Sequence, residues 1–299
     1  MTPLFLTARS GSAQIMNMLF DNKAKLDIKA KTSKYPLKET LRCGHIECFL
    51  ILIERGVRPT ASLDQRDYTP LMMAIRNDEL HKAVPILLEH GANVNAMTKS
   101  GFSPLFLACR KRNLEIVQLL CNDPTLKLDI TGQGDVYYFY FHSAPIHWAA
   151  FSCVPEIVQL IIDRGALVTA KNKMGETAIS EALRFAIHSK SEPDKREKDI
   201  FDMLETLKIL VKNGLSVNDQ RNQQNDKSTA IQNYLTRPDS IDIRILDFLF
   251  SNGFDYNIVV STRPAEAVGD RIWDMRLPTD IHDFVQKKLL ELGYKPKMK

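Results

Sequence analysis

No apolar run in the 299-residue chain approaches the ~18–20 residues that a membrane-spanning helix requires. No CxxC pair occurs, and the five cysteines (Cys43, Cys48, Cys109, Cys121 and Cys153) are an odd number. That count argues against a disulfide framework and for reduced thiols in a cytoplasmic or nuclear compartment. The sequence also lacks a Gly-rich phosphate loop, a nucleophile elbow and a paired-carboxylate site, so nothing in it assembles an acid, a base or a nucleophile. A non-enzyme without a cofactor is the expectation. Cys43, His45 and Cys48 have the residue types of metal ligands, but Cys48 is expected to face the core and no metal is assigned. An excess of charge is missing too: 40 Lys and Arg against 36 Asp and Glu leave +4, too little to name a partner. The chain opens Met1-Thr2-Pro3-Leu4 and enters its first periodic segment at once, from which no signal peptide is expected. With apolar residues at 44% and charged residues at 25%, the composition is that of a folded protein.

What is present is repetition. The stretch from Tyr68 to Ala96 opens on Thr69-Pro70-Leu71, runs two short apolar-periodic segments around the polar break Arg76–Glu79, and closes on Gly91-Ala92-Asn93-Val94-Asn95. Variants of the opening triplet begin at Thr2, Tyr35, Thr69, Ser103, Ala144, Thr177 and Thr229. The first four starts are 33, 34 and 34 residues apart, and Ala144 and Thr177 are again 33 apart. A fixed period of this size marks a solenoid in which each unit buries its apolar face against its neighbours. Thr before Pro suits a helix start, since Thr caps orphan amides and Pro at the first helical position forfeits no hydrogen bond. Gly56, Gly91, Gly165, Gly214 and Gly253 suit the left-handed turn that ends a second helix. Lys23 and Pro124 replace that glycine in the first and fourth units, so those ends are expected to close differently, Pro124 by stopping the helix outright. Pro85 is placed near the first turn of its helix, facing outward.

The triplet, the period and the Gly-Ala-Asn-Val-Asn closure together resemble the ankyrin repeat, over roughly Thr2 to Gly253. The resemblance implies an all-α solenoid of helix–turn–helix units joined by β-turn fingers. About seven repeats are expected, starting near residues 2, 35, 69, 103, 144, 177 and 229. Residues 1–258 are read as one elongated repeat domain and 259–299 as a degenerate capping repeat. In that cap Thr279–Leu292 forms the last helix, with Gly293 closing it. Three places break the period: the aromatic connection Thr131–His142, the polar segment Ser189–Asp199, and everything past Asn257. The polar segment reads as a solvated loop or as polar extensions of both helices. By the same resemblance, His147 supports its turn by hydrogen bonding and His45 belongs to a Gly-His link between helices.

In the family the exposed positions of the first helix line a concave groove. One such position gives the column Arg9, Arg42, Arg76, Arg110, Phe151, Arg184 and Thr236, with Lys111 and Arg237 one place further on. Units stack roughly 10 Å apart, so these guanidiniums form a ladder. Such a ladder favours a carboxylate- or phosphate-bearing ligand, or is simply a solubilising polar face. A second column supplies Met73, Leu107 and Trp148, which with Phe151 are read as exposed apolar anchors of the kind that dominates binding energy; the other reading packs Trp148 onto a neighbouring turn. Tyr137, Tyr138 and Tyr140 belong to a five-aromatic finger in which alternate side chains face opposite ways, leaving one set for a partner or for structure alone.

The function these readings imply is a monomeric protein-binding module that grips an acidic or mixed acidic–hydrophobic segment of another protein. Two alternatives stay open. One is a ubiquitin-ligase substrate adaptor, from the faint likeness of Leu277-Pro278-Thr279-Asp280-Ile281 to an F-box or SOCS-box edge. The other is anionic ligand binding, nucleic acid or lipid, through the arginines, which the near-balanced charge disfavours.

Overall fold

The computed structural model describes all residues except 1, 25–35, 58–66, 129–142, 185–191, 222–226, 238–239, 263–264 and 297–299, and, for side chains, 259–266. The described chain forms two compact units, one within residues 1–127 and one within residues 143–299.

The first unit is four helical pairs: α1 (Pro3–Ser10) with α2 (Ala13–Asp21), α3 (Pro36–Cys43) with α4 (Ile46–Glu54), α5 (Pro70–Arg76) with α6 (Ala83–Glu89), and α7 (Pro104–Arg110) with α8 (Leu114–Asn122). The polar break of the third pair holds a short 3₁₀ turn, Asp78–Leu80. The sequence dictates each helix start. Thr2, Thr69 and Ser103 accept through their hydroxyls from the amides of Phe5 (3.3 Å), Met72 (3.3 Å) and Phe106 (3.0 Å), with proline next in each case. Between helices the backbone turns through positive φ, at Gly11 (73°) and Gly44 (78°) but also at Arg112 (55°). The first helices stack in order, α1 on α3, α3 on α5 and α5 on α7. The core is their apolar faces together with those of the second helices: Leu71, Met72, Ile75, Leu87 and Leu120 are fully buried.

The closing turns explain the glycines. The amide of Gly91 donates to the Leu88 carbonyl and that of Ala92 to Leu87, each at 2.9 Å, with Gly91 at φ 75°. Lys23 closes α2 in the same way, donating to Phe20 at 2.9 Å from φ 61°, while Ala24 donates to Leu19 at 2.9 Å. The expectation of a different closure at Lys23 is therefore corrected: the turn is kept and the side chain carries the strain of a left-handed backbone. Pro124 does what proline must, and α8 ends at Asn122. Pro85 is the third residue of α6 and half-buried. The Asn of the closing motif bonds across to the next repeat. Asn95 donates to the Thr125 carbonyl (2.6 Å) and accepts from the Lys127 amide (2.9 Å).

The second unit repeats the plan with α9 (Pro145–Ser152) and α10 (Pro155–Asp163), α11 (Ala178–Ala182) and α12 (Pro193–Lys212), and α13 (Ala230–Leu235) and α14 (Ile243–Ser251). Here Ala144 cannot cap, and the ring of His147 does so instead: Nδ1 accepts from the Ala144 amide (3.0 Å) and Nε2 donates to the Glu176 carbonyl (3.0 Å). Burial lowers the His147 pKa, leaving the imidazole neutral as this acceptor role requires. From Pro193 on, the polar segment is helical and lengthens α12 to 20 residues, with Glu192 at its N-cap. Asn218 repeats the bond of Asn95, donating to the Gly253 carbonyl (2.7 Å) and accepting from the Asp255 amide (2.9 Å).

Past Asn257 an antiparallel hairpin, β1 (Val259–Thr262) and β2 (Ala265–Ala267), precedes α15 (Val268–Trp273) and α16 (Thr279–Glu291). This is a finger and two helices, one further repeat whose short first helix and strands sequence periodicity did not reveal. Ile281, Val285 and Leu289 turn the inner face of α16 to the core, and Gly293 closes it at φ 91°. Its Lys288 Nζ reaches Asp247 of α14 at 2.8 Å.

Candidate functional site

The geometry of the first helices places Arg9, Arg42, Arg76 and Arg110 at one station, the last turn of α1, α3, α5 and α7, and all four are exposed. They are not equivalent. Glu39, almost buried on α3, takes Arg42 bidentately, Nη2–Oε1 at 2.6 Å and Nε–Oε2 at 3.1 Å, and lies 3.9 Å from Nε of Arg9. The Glu39 carboxylate beside it raises the Arg42 pKa further above the ordinary guanidinium value. Lys111 pairs with Asp78 across one repeat at 2.8 Å, and its ammonium holds the Asp78 carboxyl below the usual range. Arg76 lies over the Tyr68 ring, 4.9 Å from its centroid, a cation–π placement that holds the guanidinium without neutralising it. Among the described residues neither Arg76 nor Arg110 has an ion-pair partner. Three cations of this face, Arg9, Arg42 and Lys111, thus have a carboxylate partner within the unit, and two, Arg76 and Arg110, stand without a described one on neighbouring helices.

The apolar column divides as well. Met73 on α5 is half-buried. Leu107 is only 5% exposed, and Trp148 in the second unit is likewise 5% exposed. The reading of those two as exposed anchors is corrected: α7 packs on α5 and α8, α9 packs on α10 and α11, and both side chains are core. Phe151, in the last turn of α9, is half-buried. Tyr137, Tyr138 and Tyr140 lie outside the described residues.

The second unit places Arg184 in a different role from its counterparts. Its Nη2 lies 2.7 and 2.8 Å from the two oxygens of Glu176, and its Nε lies 3.7 Å from Glu181. Arg221 brings Nε to the same Glu176 at 2.6 Å, and Asn172 adds its amide at 3.0 Å. Burial alone would push the Glu176 carboxyl up; the Asn172 amide and the two guanidiniums outweigh it and hold the group below the usual carboxylate range. Glu181 meets the opposite fate. It is 2% exposed, and both its oxygens are buried without a hydrogen bond among the described residues. Burial pushes it up to about 7, with Arg184 opposing only in part. Arg184 as an open rung of a ladder is thereby corrected: it is a half-buried member of an ion cluster.

Comparison with known proteins accords with this geometry. The family model for ankyrin repeats in three copies matches residues 59–133, and the single ankyrin repeat model matches residues 142–173. The solved ankyrin repeat domain of Bcl-3, described as a member of the IκB protein family, superimposes with a TM-score of 0.56 at 20% identity, over 83% of this chain and 98% of that one. The chain is an ankyrin repeat protein.

Among its curated relatives, the ankyrin repeat and KH domain-containing protein mask-1 of Caenorhabditis elegans is 34% identical over 161 residues, 43% of this chain and 6% of that protein. The ankyrin repeat and SOCS box protein 11 of Pongo abelii is 34% identical over 125 residues, 41% of this chain and 37% of that protein. The chain thus spans well under two thirds of the length of these relatives.

Within the ankyrin repeats, Glu176 and Arg221 left no mark as site residues in the sequence, whereas Arg237 stood one place beyond the arginine column. Glu181 left a faint signal: like Glu39, it stands at the station that Met73, Leu107 and Trp148 hold in other units. Arg221 left none, because its partner lies 45 positions away across an irregular stretch. Among the described residues no group of three or more His, Cys, Asp and Glu side chains is placed to hold a metal ion, and no helix is long and apolar enough to cross a membrane.

Proposed function

We propose that the chain is a non-catalytic binding module, a monomer on its own, and that the first-helix face of residues 1–127 grips an acidic or mixed acidic–hydrophobic segment of another protein. The observation that carries this reading is the pair Arg76 and Arg110, exposed on adjacent helices and not balanced by any described carboxylate. A carboxylate laid between them gains charge-assisted hydrogen bonds that Glu39 and Asp78 already supply to Arg42 and Lys111. Met73, half-buried on the same helix as Arg76, offers the apolar neighbour. Arg9 and Arg42, sharing Glu39, extend the polar rim rather than its centre. The acidic-segment reading leads over nucleic acid because three of the five cations on this face are already paired with Glu39 or Asp78, whereas a phosphate backbone calls for many open ones.

Residues 259–299 serve, in this account, as the cap of a repeat array that occupies residues 1–258. The burial of Ile281, Val285 and Leu289 and the bond from Lys288 to Asp247 support a cap over a scaffold-docking helix. The test is capture of partners from cell lysate by the wild-type chain and by Arg76→Glu/Arg110→Glu. Loss of a protein partner with an unchanged melting temperature supports the reading, and an identical set of partners overturns it.

A further inference from the structure

A recess of about 210 Å³ opens in the second unit beside α11 and α13. Its lining among the described residues includes Arg184, Arg221 and Arg237, with the polar side chains of Ser180, Asn233 and Thr236, and no described carboxylate. Three guanidiniums converging on one small space repel one another unless something holds them. The structure shows what holds them. Glu176, 1% exposed, fixes Arg184 and Arg221 from behind, and Arg237 is anchored by donating from Nη1 to the Arg184 carbonyl at 2.8 Å. Arg237 is exposed and has no ion-pair partner among the described residues.

We propose that this recess is a binding site for a single oxoanion, a carboxylate or phosphate group, held chiefly by Arg237 and Arg184. The physical case is preorganisation. The buried Glu176 carboxylate has already met the cost of orienting two of the arginines, so a ligand oxoanion meets fixed donors rather than mobile side chains. Two guanidiniums match two oxygens of one group in the fork geometry that Arg presents. The volume admits such a group with a short stem. The site is independent of the Arg76–Arg110 face, since it lies wholly within residues 143–299.

The experiment is a titration of the full chain with inorganic phosphate, and separately with succinate, at constant ionic strength set by sodium chloride. It is followed by NMR of the arginine side-chain Nε–H signals. The expected result is saturable shifts of Arg184 and Arg237 in the low-millimolar range with at least one probe. Phosphate alone narrows the ligand to phosphoryl groups, succinate alone to carboxylates, and both to oxoanions in general. Arg237→Gln, at an exposed position beyond the end of α13, should weaken binding about tenfold, as loss of one charged hydrogen bond does. The backbone amide spectrum of α13 serves as the folding control. Arg76→Glu/Arg110→Glu should leave the titration unchanged. Shifts no greater than in the chloride control, or equal affinity in Arg237→Gln, would overturn the site.

Discussion

Replacing Glu181 with glutamine should make the protein more stable at neutral and alkaline pH and should flatten its dependence on pH. Glu181 titrates at about 7 in the folded chain against 4.5 for an ordinary glutamate, a gap of roughly 2.5 pH units. At about 1.36 kcal/mol per pH unit this amounts to ~3 kcal/mol. The sign follows from proton binding. Between pH 4.5 and 7 the folded state holds a proton that the unfolded chain has released. The contribution of this group is therefore fully present below pH 4.5 and lost as pH rises through 7. Glutamine is neutral throughout and of the same shape, so the variant lacks that loss. Urea unfolding of both proteins at pH 4.5 and pH 8 gives the comparison, and carboxylates common to both cancel in the difference. The stability gap should widen in favour of Glu181→Gln by ~3 kcal/mol between the two conditions. Parallel curves, offset by a constant amount, would refute the argument and would mean that Glu181 stays ionised in the fold.

Two backbone substitutions probe the repeat itself. Gly11→Ala should cost about 2 kcal/mol, because Gly11 sits at φ 73° and an added Cβ would lie 2.6 Å from the His45 ring that crosses it to reach the Arg9 carbonyl; an unchanged denaturation midpoint would contradict this. Lys23→Gly should gain up to ~1 kcal/mol, since an exposed lysine there holds φ 61° where Gly56 and Gly91 stand at the equivalent closing turns; a lower melting temperature would contradict it.

Much of the fold was legible because its cause is local. A Thr-Pro start, a left-handed glycine and an apolar face of helical period each act within one repeat, and recurrence multiplied the signal. The ninth and tenth helices, for instance, follow directly from Ala144-Pro145-Ile146 and Pro155-Glu156-Ile157. The station of Arg76 and Arg110 was legible for the same reason. What was not legible depends on neighbours. Leu107 and Trp148 occupy a station that is half-exposed at Met73, yet packing of adjacent helices buries both. Arg184 shares a column with Arg76, yet Glu176 and Arg221 draw it into a buried cluster through contacts spanning 8 and 45 positions. The first half of the last repeat hid because its strands and short α15 replace the pattern that marks the others. Lys23 shows the converse: the residue changed and the turn did not, since two backbone hydrogen bonds fixed it.

The central claim, that the Arg76–Arg110 face grips an acidic segment, is tested most directly by one affinity ratio. For the partner that capture identifies, Kd is measured for the wild-type chain and for Arg76→Glu/Arg110→Glu at the same salt concentration. Loss of two charge-assisted contacts predicts roughly a hundredfold weaker binding or more, with the melting temperature unmoved. Equal affinity in the two proteins would contradict the account.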